Sequence, residues 1–187
     1  MKKENYRIVL GIFFFSALLT WAGCEPAKVT GGGWIPSASS LGGKAIFGFN
    51  VDSCAQHRTG LGRFNYHDKN AGVKMNGYIT QAGECVDGQG QSVDLLGKAA
   101  CDHEKPTNLV EPFYKFTLYY TCTNPKSRKL GKGGQATVFV QDNGEGGNVV
   151  VMGDGDYAHI VVDNGPYEGY TNAGTVQGNI QSHACKG

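Results

Sequence analysis

Charge of one sign is what this sequence most clearly lacks. Its 17 Lys and Arg stand against 16 Asp and Glu, a formal net charge of +1. That balance removes the usual electrostatic argument for nucleic acid or an acidic membrane surface, both of which need a concentrated basic patch. Proline is scarce at 6 residues, and the 29 glycines follow no Gly-X-Y period. A collagen-like chain and a low-complexity disordered one are both excluded. The six cysteines form no Cys-x-x-Cys pair, so the usual zinc and redox signatures are missing. Missing too are a Gly-x-Ser-x-Gly elbow, a His-Glu-x-x-His pair, a Walker loop and spaced carboxylates on aromatic-rich strands. No hydrolase, metalloprotease, nucleotide-binding or glycosidase signature can therefore be read. No window sustains a helical period, and no apolar run reaches the roughly 18 to 20 residues that span a bilayer. The 187 residues suit one domain.

The longest apolar run, Ile8 to Trp21, is interrupted only by Gly11, Ser16 and Thr20 and follows Lys2, Lys3 and Arg7. A charged start, a run of this length and small residues after it read as a bacterial secretory signal over residues 1–23. Residues 24–27 are then an anchor or linker, and 28–187 a single domain. Ala22-Gly23-Cys24 resembles a lipobox, with Trp21 where that pattern has an aliphatic residue. The resemblance implies cleavage before Cys24 and lipidation of its thiol, hence an outer-membrane or cell-surface lipoprotein. Ordinary cleavage after Ala22 would instead leave Cys24 as a thiol or disulfide partner in a periplasmic or secreted protein. Either compartment is oxidising and favours disulfides. The candidates are Cys54, Cys85, Cys101, Cys122 and Cys185, an odd set unless Cys24 joins it to allow 15 connectivities. Removing the signal takes away three positive charges and one negative, so 17 and 16 become 14 and 15 and the net charge becomes −1.

Period-two alternation dominates what remains. Ala45, Phe47, Phe49 and Val51 share one face, as do Val73, Met75, Gly77 and Ile79. Tyr114, Phe116, Leu118 and Tyr120 oppose Lys115, Thr117 and Thr121; Ala136, Val138 and Val140 oppose Gln135, Thr137 and Gln141; Ala158, Ile160 and Val162 oppose Tyr157, His159 and Val161. Asp87-Gly88, Asp142-Asn143-Gly144, Gly153-Asp154-Gly155 and Asp163-Asn164-Gly165 punctuate these runs with the residues that tight hairpins need. The spacing predicts an all-β fold, an antiparallel β-sandwich or jelly-roll-like barrel of about 8–10 strands. Phe47, Phe49, Phe116, Leu118, Val138 and Ile160 are its expected core. Residues 85–112 break the rhythm and are expected to be a loop insertion with a short helix near Val93 to Ala100, pinned by Cys85 and Cys101 to each other or to a strand cysteine such as Cys122.

Lys28 to Ile35 (KVTGGGWI), Ala45 to Asn50 (AIFGFN), Gly62 to Asp68 (GRFNYHD), Asp142 to Glu145 (DNGE) and Gly178 to His183 (GNIQSH) occur in order along the chain. In this set the chain resembles the post-COAP domains, a family of secreted bacterial β-domains. The cysteines, the enlarged 85–112 stretch and Gly146 depart from the family pattern. The resemblance implies an extracellular all-β module and no particular activity.

Four groups of residues are candidates for function. Asp142, Asn143, Glu145, Asp154 and Asp156 lie within 15 residues and could offer calcium its oxygen ligands, although Asp and Asn are also ordinary turn residues. Beyond calcium no cofactor is expected. His57, His67, His103, His159 and His183 could form a metal site or supply a base only if they converge; solvated histidines are the plain alternative. Lys126, Arg128, Lys129 and Lys132 with two glycines read as a basic loop. Trp34, Tyr78, Tyr119, Tyr167 and Tyr170 could form a sugar-stacking or protein-docking surface, or pack inside. Two functions follow: a non-catalytic envelope module that binds a partner protein, a surface polymer or a second copy of itself, touching the membrane only through its lipid; or a secreted carbohydrate-processing or other hydrolytic enzyme using His67, Asp68 and His103.

Overall fold

The computed structural model describes residues 27–52, 61–86, 89–91, 113–125, 131–143 and 155–184. Among these there is no helix. Ten strands form one antiparallel sheet: β1 (Ala27–Pro36), β2 (Lys44–Asp52), β3 (Gly62–Asp68), β4 (Val73–Val86), β5 (Gln89–Gln91), β6 (Phe113–Cys122), β7 (Gly133–Gln141), β8 (Tyr157–Val162), β9 (Thr171–Thr175) and β10 (Gln177–Ala184). The order is β10-β1-β2-β3-β4-β6-β7-β8-β9, with β5 paired to β4 beside this path. Of the expected forms the barrel-like one is borne out: the strands follow as a meander and β10 returns beside β1, giving one nearly closed sheet rather than a two-sheet sandwich. The inward faces are mainly apolar, so one sheet buries them by curling upon itself rather than against a second sheet.

The six expected core residues are all buried, with Leu118, Val138 and Ile160 fully enclosed. They join Val29, Phe64, Tyr66, Met75, Ile79 and Ile180 in one cluster. Phe113 and Phe139 form a second cluster with Tyr157 and Val161. Phe139 lies on the outward phase of β7, opposite to Val138 and Val140, yet has no exposed surface. Each glycine of the Gly31-Gly32-Gly33 run answers a different neighbour. A Cβ on Gly31 would stand 2.7 Å from the Phe49 ring. Gly33 has φ +152°, and a side chain there would meet the Gln177 carbonyl at β10's start.

The seam between the sheet's two edges is closed by side chains. At one end the Asp156 carboxylate accepts the backbone N–H of Ile180 at 2.5 Å and of Asn143 at 3.0 Å, and Asp142 accepts that of Ser182 at 3.1 Å. At the other end Asn172 donates to the Pro36 carbonyl at 3.0 Å, and Gly174 lies against Ile35 and Pro36. These contacts occupy backbone groups that an edge strand otherwise leaves unpaired.

The segment 85–112 begins as sheet: Cys85 pairs with Phe113, and β4 and β5 are arms of a hairpin. Its short helix and Cys101 lie outside the described residues. Cys122 pairs with Met75, ten positions along β4 from Cys85. At ~3.3 Å per residue that is about 30 Å, against the roughly 7 Å of Cα separation a disulfide spans. A Cys85–Cys122 bridge is therefore ruled out. Cys122 is a buried free thiol 2.9 Å from the Tyr167 hydroxyl. Cys24, Cys54 and Cys185, with the signal segment and the Lys126 to Lys129 loop, also lie outside the described residues.

Candidate functional site

Register brings three rows of outward residues together across β10, β1, β2, β3, β4 and β6. The middle row is Asn179, Gly32, Gly48, Asn65, Asn76 and Thr121. One flank is Trp34, Ile46, His67 and Lys74; the other is Thr30, Asn50, Arg63, Tyr78 and Tyr119. Glycines and short amides between rows of large side chains make a trough. Its flanks are four residues apart on each strand, about 13 Å, and it crosses six strands, about 24 Å. Within it lies a 270 Å³ depression lined by Ile46, Gly48, Asn65, His67, Lys74 and Asn76, among others. Gly48 is the floor: a Cβ there would meet only the Gly31 carbonyl, at 3.9 Å.

The flanks are held by ring contacts. The Lys44 ammonium lies 4.1 Å from the centre of the Trp34 ring, and the Arg63 guanidinium 3.8 Å from that of Tyr78. Such cation–π contacts fix long side chains that would otherwise sweep the surface. Tyr78 stands directly across from Tyr119, and both keep about half of their surface in solvent, at 51% and 55%. Ile46 is 58% exposed. Outward asparagines with exposed aromatic rings can hydrogen-bond hydroxyls and stack on the apolar faces of sugar rings.

The five aromatic candidates divide between the two faces. Trp34, Tyr78 and Tyr119 flank the trough, while Tyr167 is buried and Tyr170 packs against the core. Tyr167 caps the start of β4, donating its hydroxyl to the Lys74 carbonyl at 3.1 Å, and stacks on Tyr120.

Alternation also splits Tyr66-His67-Asp68, putting Tyr66 and Asp68 inside and His67 outside. Asp68 is fully enclosed and accepts four hydrogen bonds, from Ser37 Oγ at 2.6 Å, Tyr170 at 2.9 Å and the amides of Ala38 and Ala71 at 3.0 and 3.1 Å. Burial opposes ionisation of Asp68, but these four donors outweigh it and hold the carboxyl below its ordinary range. Tyr170 commits its proton to Asp68, so Tyr66, 2.6 Å away, donates to Tyr170. Asn172 in turn donates to Tyr66 at 2.8 Å. Burial pushes Tyr66 up to about 12, with the Tyr170 and Asn172 hydrogen bonds offsetting part of the effect. Tyr170 is raised further, first by burial and then by Tyr66 and Asp68. With every carboxylate acceptor position occupied by a protein donor, Asp68 ties β1 and β3 to the 163–170 turn.

Of the acidic turn, Asp142, Asn143 and Asp156 are described and form the seam contacts; Asn143 also donates to the Gly155 carbonyl at 2.8 Å. Glu145 and Asp154 lie outside the described residues, and among the described residues no three His, Cys, Asp or Glu side chains cluster as a metal would require. His67 flanks the trough on β3. His159 sits on β8, with Nε2 2.8 Å from Thr171 Oγ1 and a buried Nδ1 that has no partner. Burial lowers the pKa of His159. His57 and His103 lie outside the described residues.

No family model matches the chain, and no curated protein or solved structure is similar to it.

Sequence reasoning named the aromatic flanks and missed the floor. Gly48, Asn65 and Asn76 each occupy the outward phase of a strand, which alternation alone can locate. Their alignment into one row depends on the register of five ladders, which alternation does not encode.

Proposed function

We propose that this chain is a non-catalytic module of the bacterial envelope, exported, anchored by lipid on Cys24, and binding an extracellular polymer along the trough of β1–β4. The trough carries the reading: it crosses six strands, is floored by Gly48, Asn65 and Asn76, and is flanked by half-buried Trp34 and exposed Tyr78 and Tyr119. An open channel crossing six strands suits a chain ligand better than a compact metabolite, which a closed pocket would enclose. The non-catalytic element rests on the split of His67 from Asp68. A hydrolase needs an acid and a base facing one substrate, whereas Asp68 points inward with its oxygens occupied.

Cysteine parity supports the anchor. Cys122 is buried as a free thiol against Tyr167, which withdraws it from the pool available for disulfides. If Cys24 carries lipid, Cys54, Cys85, Cys101 and Cys185 remain as an even set. β2, β4 and β10 end, and β1 begins, at one end of the barrel, and Cys54, Cys85, Cys185 and Cys24 each lie within three positions in sequence of those strand ends. The resemblance to the post-COAP domains agrees with an extracellular β-module. On this reading calcium, if bound by the acidic turn, serves to fix the seam.

The test has two readouts on cells expressing the full chain. Labelled palmitate should enter the wild type and not Cys24→Ser; equal labelling of both overturns the anchor. On a panel of insoluble polysaccharides the purified protein should be retained without releasing reducing ends. Release that is abolished by His67→Ala would overturn the non-catalytic assignment.

A further inference from the structure

Charge is distributed unevenly between the inside and the outside of this sheet. Inward or seam-facing carboxylates are occupied by hydrogen bonds: Asp68 takes four donors, Asp156 two backbone amides and Asp142 one. The trough has the opposite character. Lys44, Arg63, His67 and Lys74 lie on or beside its flanks, and no Asp or Glu stands in the three rows. Among the described residues, the outward carboxylate of Asp52 is at the end of β2, directly across from Lys28 and beyond the Tyr78 flank. Lys44, Arg63 and Lys74 make no ion pair among the described residues. The two ring contacts hold Lys44 over Trp34 and Arg63 over Tyr78, so both charges are presented in fixed places at little further cost in side-chain entropy.

From this charge complementarity we propose that the polymer bound in the trough is an acidic polysaccharide, its sugar rings lying on Gly48, Asn65 and Asn76 and its carboxylates meeting Arg63 and Lys74. The inference rests on the polymer-binding reading of the same trough and narrows its ligand class. The geometry fits a chain with spaced charges. Arg63 and Lys74 lie on adjacent strands and opposite flanks, about 14 Å apart by register, so they contact different sugar residues rather than one carboxylate. Arg63 can meet a carboxylate with two parallel N–H donors, while Lys74 acts as a point charge. Between them the asparagine amides supply donors and acceptors for ring hydroxyls. A nucleic acid would present more charge than these few cations match and would ask for a continuous basic stripe.

The test measures affinity of the purified full-length protein for three polymers: polygalacturonate, the same polymer fully methyl-esterified, and polyglutamate. Polygalacturonate should bind at least about tenfold more tightly than the other two, with affinity falling as salt rises. The double variant Arg63→Gln/Lys74→Gln should lose that preference and retain the weak binding of the esterified polymer. Gly48→Val fills the floor without touching the core and should lose both, with an unchanged melting temperature. Equal binding of the acidic and esterified polymers would overturn the acidic assignment and leave the polymer-binding reading standing. Equal binding of polyglutamate and polygalacturonate would show charge attraction without sugar recognition and overturn the proposal. Binding of polygalacturonate unaffected by Gly48→Val would overturn the trough as the site of either.

Discussion

β2 and β7 each carry one large apolar residue on the phase that alternation assigns to solvent, Ile46 in β2 and Phe139 in β7. Ile46 is 58% exposed and flanks an open trough, whereas Phe139 has no exposed surface and packs with Phe113. The wall of β1–β4 is therefore covered on its inner side only, and the wall of β6–β8 on both sides around Phe139, Lys115 and Thr137. An apolar residue out of phase carries the same signal in both strands, and its meaning depends on what the rest of the chain places over it. The covered wall also holds Lys115, 7% exposed and 5.7 Å from the Phe139 ring, and the half-buried His159, 5.9 Å from the same ring. The open wall holds its cations at the surface, where a ligand can reach them.

Core truncation should give the largest contrast. Phe139→Ala is expected to cost about 3 to 5 kcal/mol in denaturant unfolding, as for a buried aromatic; a loss below 1 kcal/mol would mean that the covered wall is no core. Next is Asp68→Asn, beneath the open wall, which removes a charged acceptor of four hydrogen bonds and should cost about 2 to 3 kcal/mol. Because the folded pKa of Asp68 is lowered, its contribution is present above the ordinary aspartate pKa of roughly 3.9 and is lost as pH falls through the folded value. The acid limb of the wild-type stability curve should flatten in the variant. Smaller still is the effect of His159 in the covered wall. Its pKa is lowered by burial, so the unfolded chain binds the proton more readily and wild-type stability should fall as pH drops below about 6.5. His159→Gln should remove that slope, and an unchanged slope would place the titration elsewhere. Ile46→Ser should be nearly silent, within about 0.5 kcal/mol. A larger loss would show that the open wall is covered after all.

Strand phase was legible because an antiparallel sheet with one solvated face writes its inner side into the sequence at every second residue. Val73 to Ile79 and Tyr114 to Tyr120 were read on their correct faces, with the core to which they belong. The trough was half legible: the exposed aromatics on its flanks announce themselves, while Gly48 reads as a weak strand residue and Asn65 and Asn76 as ordinary polar positions. The Asp68 network was not legible, since its members lie about a hundred positions apart, as Tyr66 does from Tyr170. The closure was left open between a sandwich and a barrel for a related reason. Alternation is equally satisfied by two facing sheets and by one that curls, and the choice was made by β10 returning to β1 and by Asp142, Asp156 and Asn172 acting across the seam.

The sequence by itself determined that this chain is all-β and which side of each strand faces inward. These are properties of local period and composition. Only the tertiary structure decided which residues became neighbours: Gly32 beside Gly48 beside Asn65, Arg63 over Tyr78, Cys122 against Tyr167 and away from Cys85. Neighbourhood in a sheet is set by register and closure, free-energy choices made by the whole chain packing at once, and no single strand encodes them.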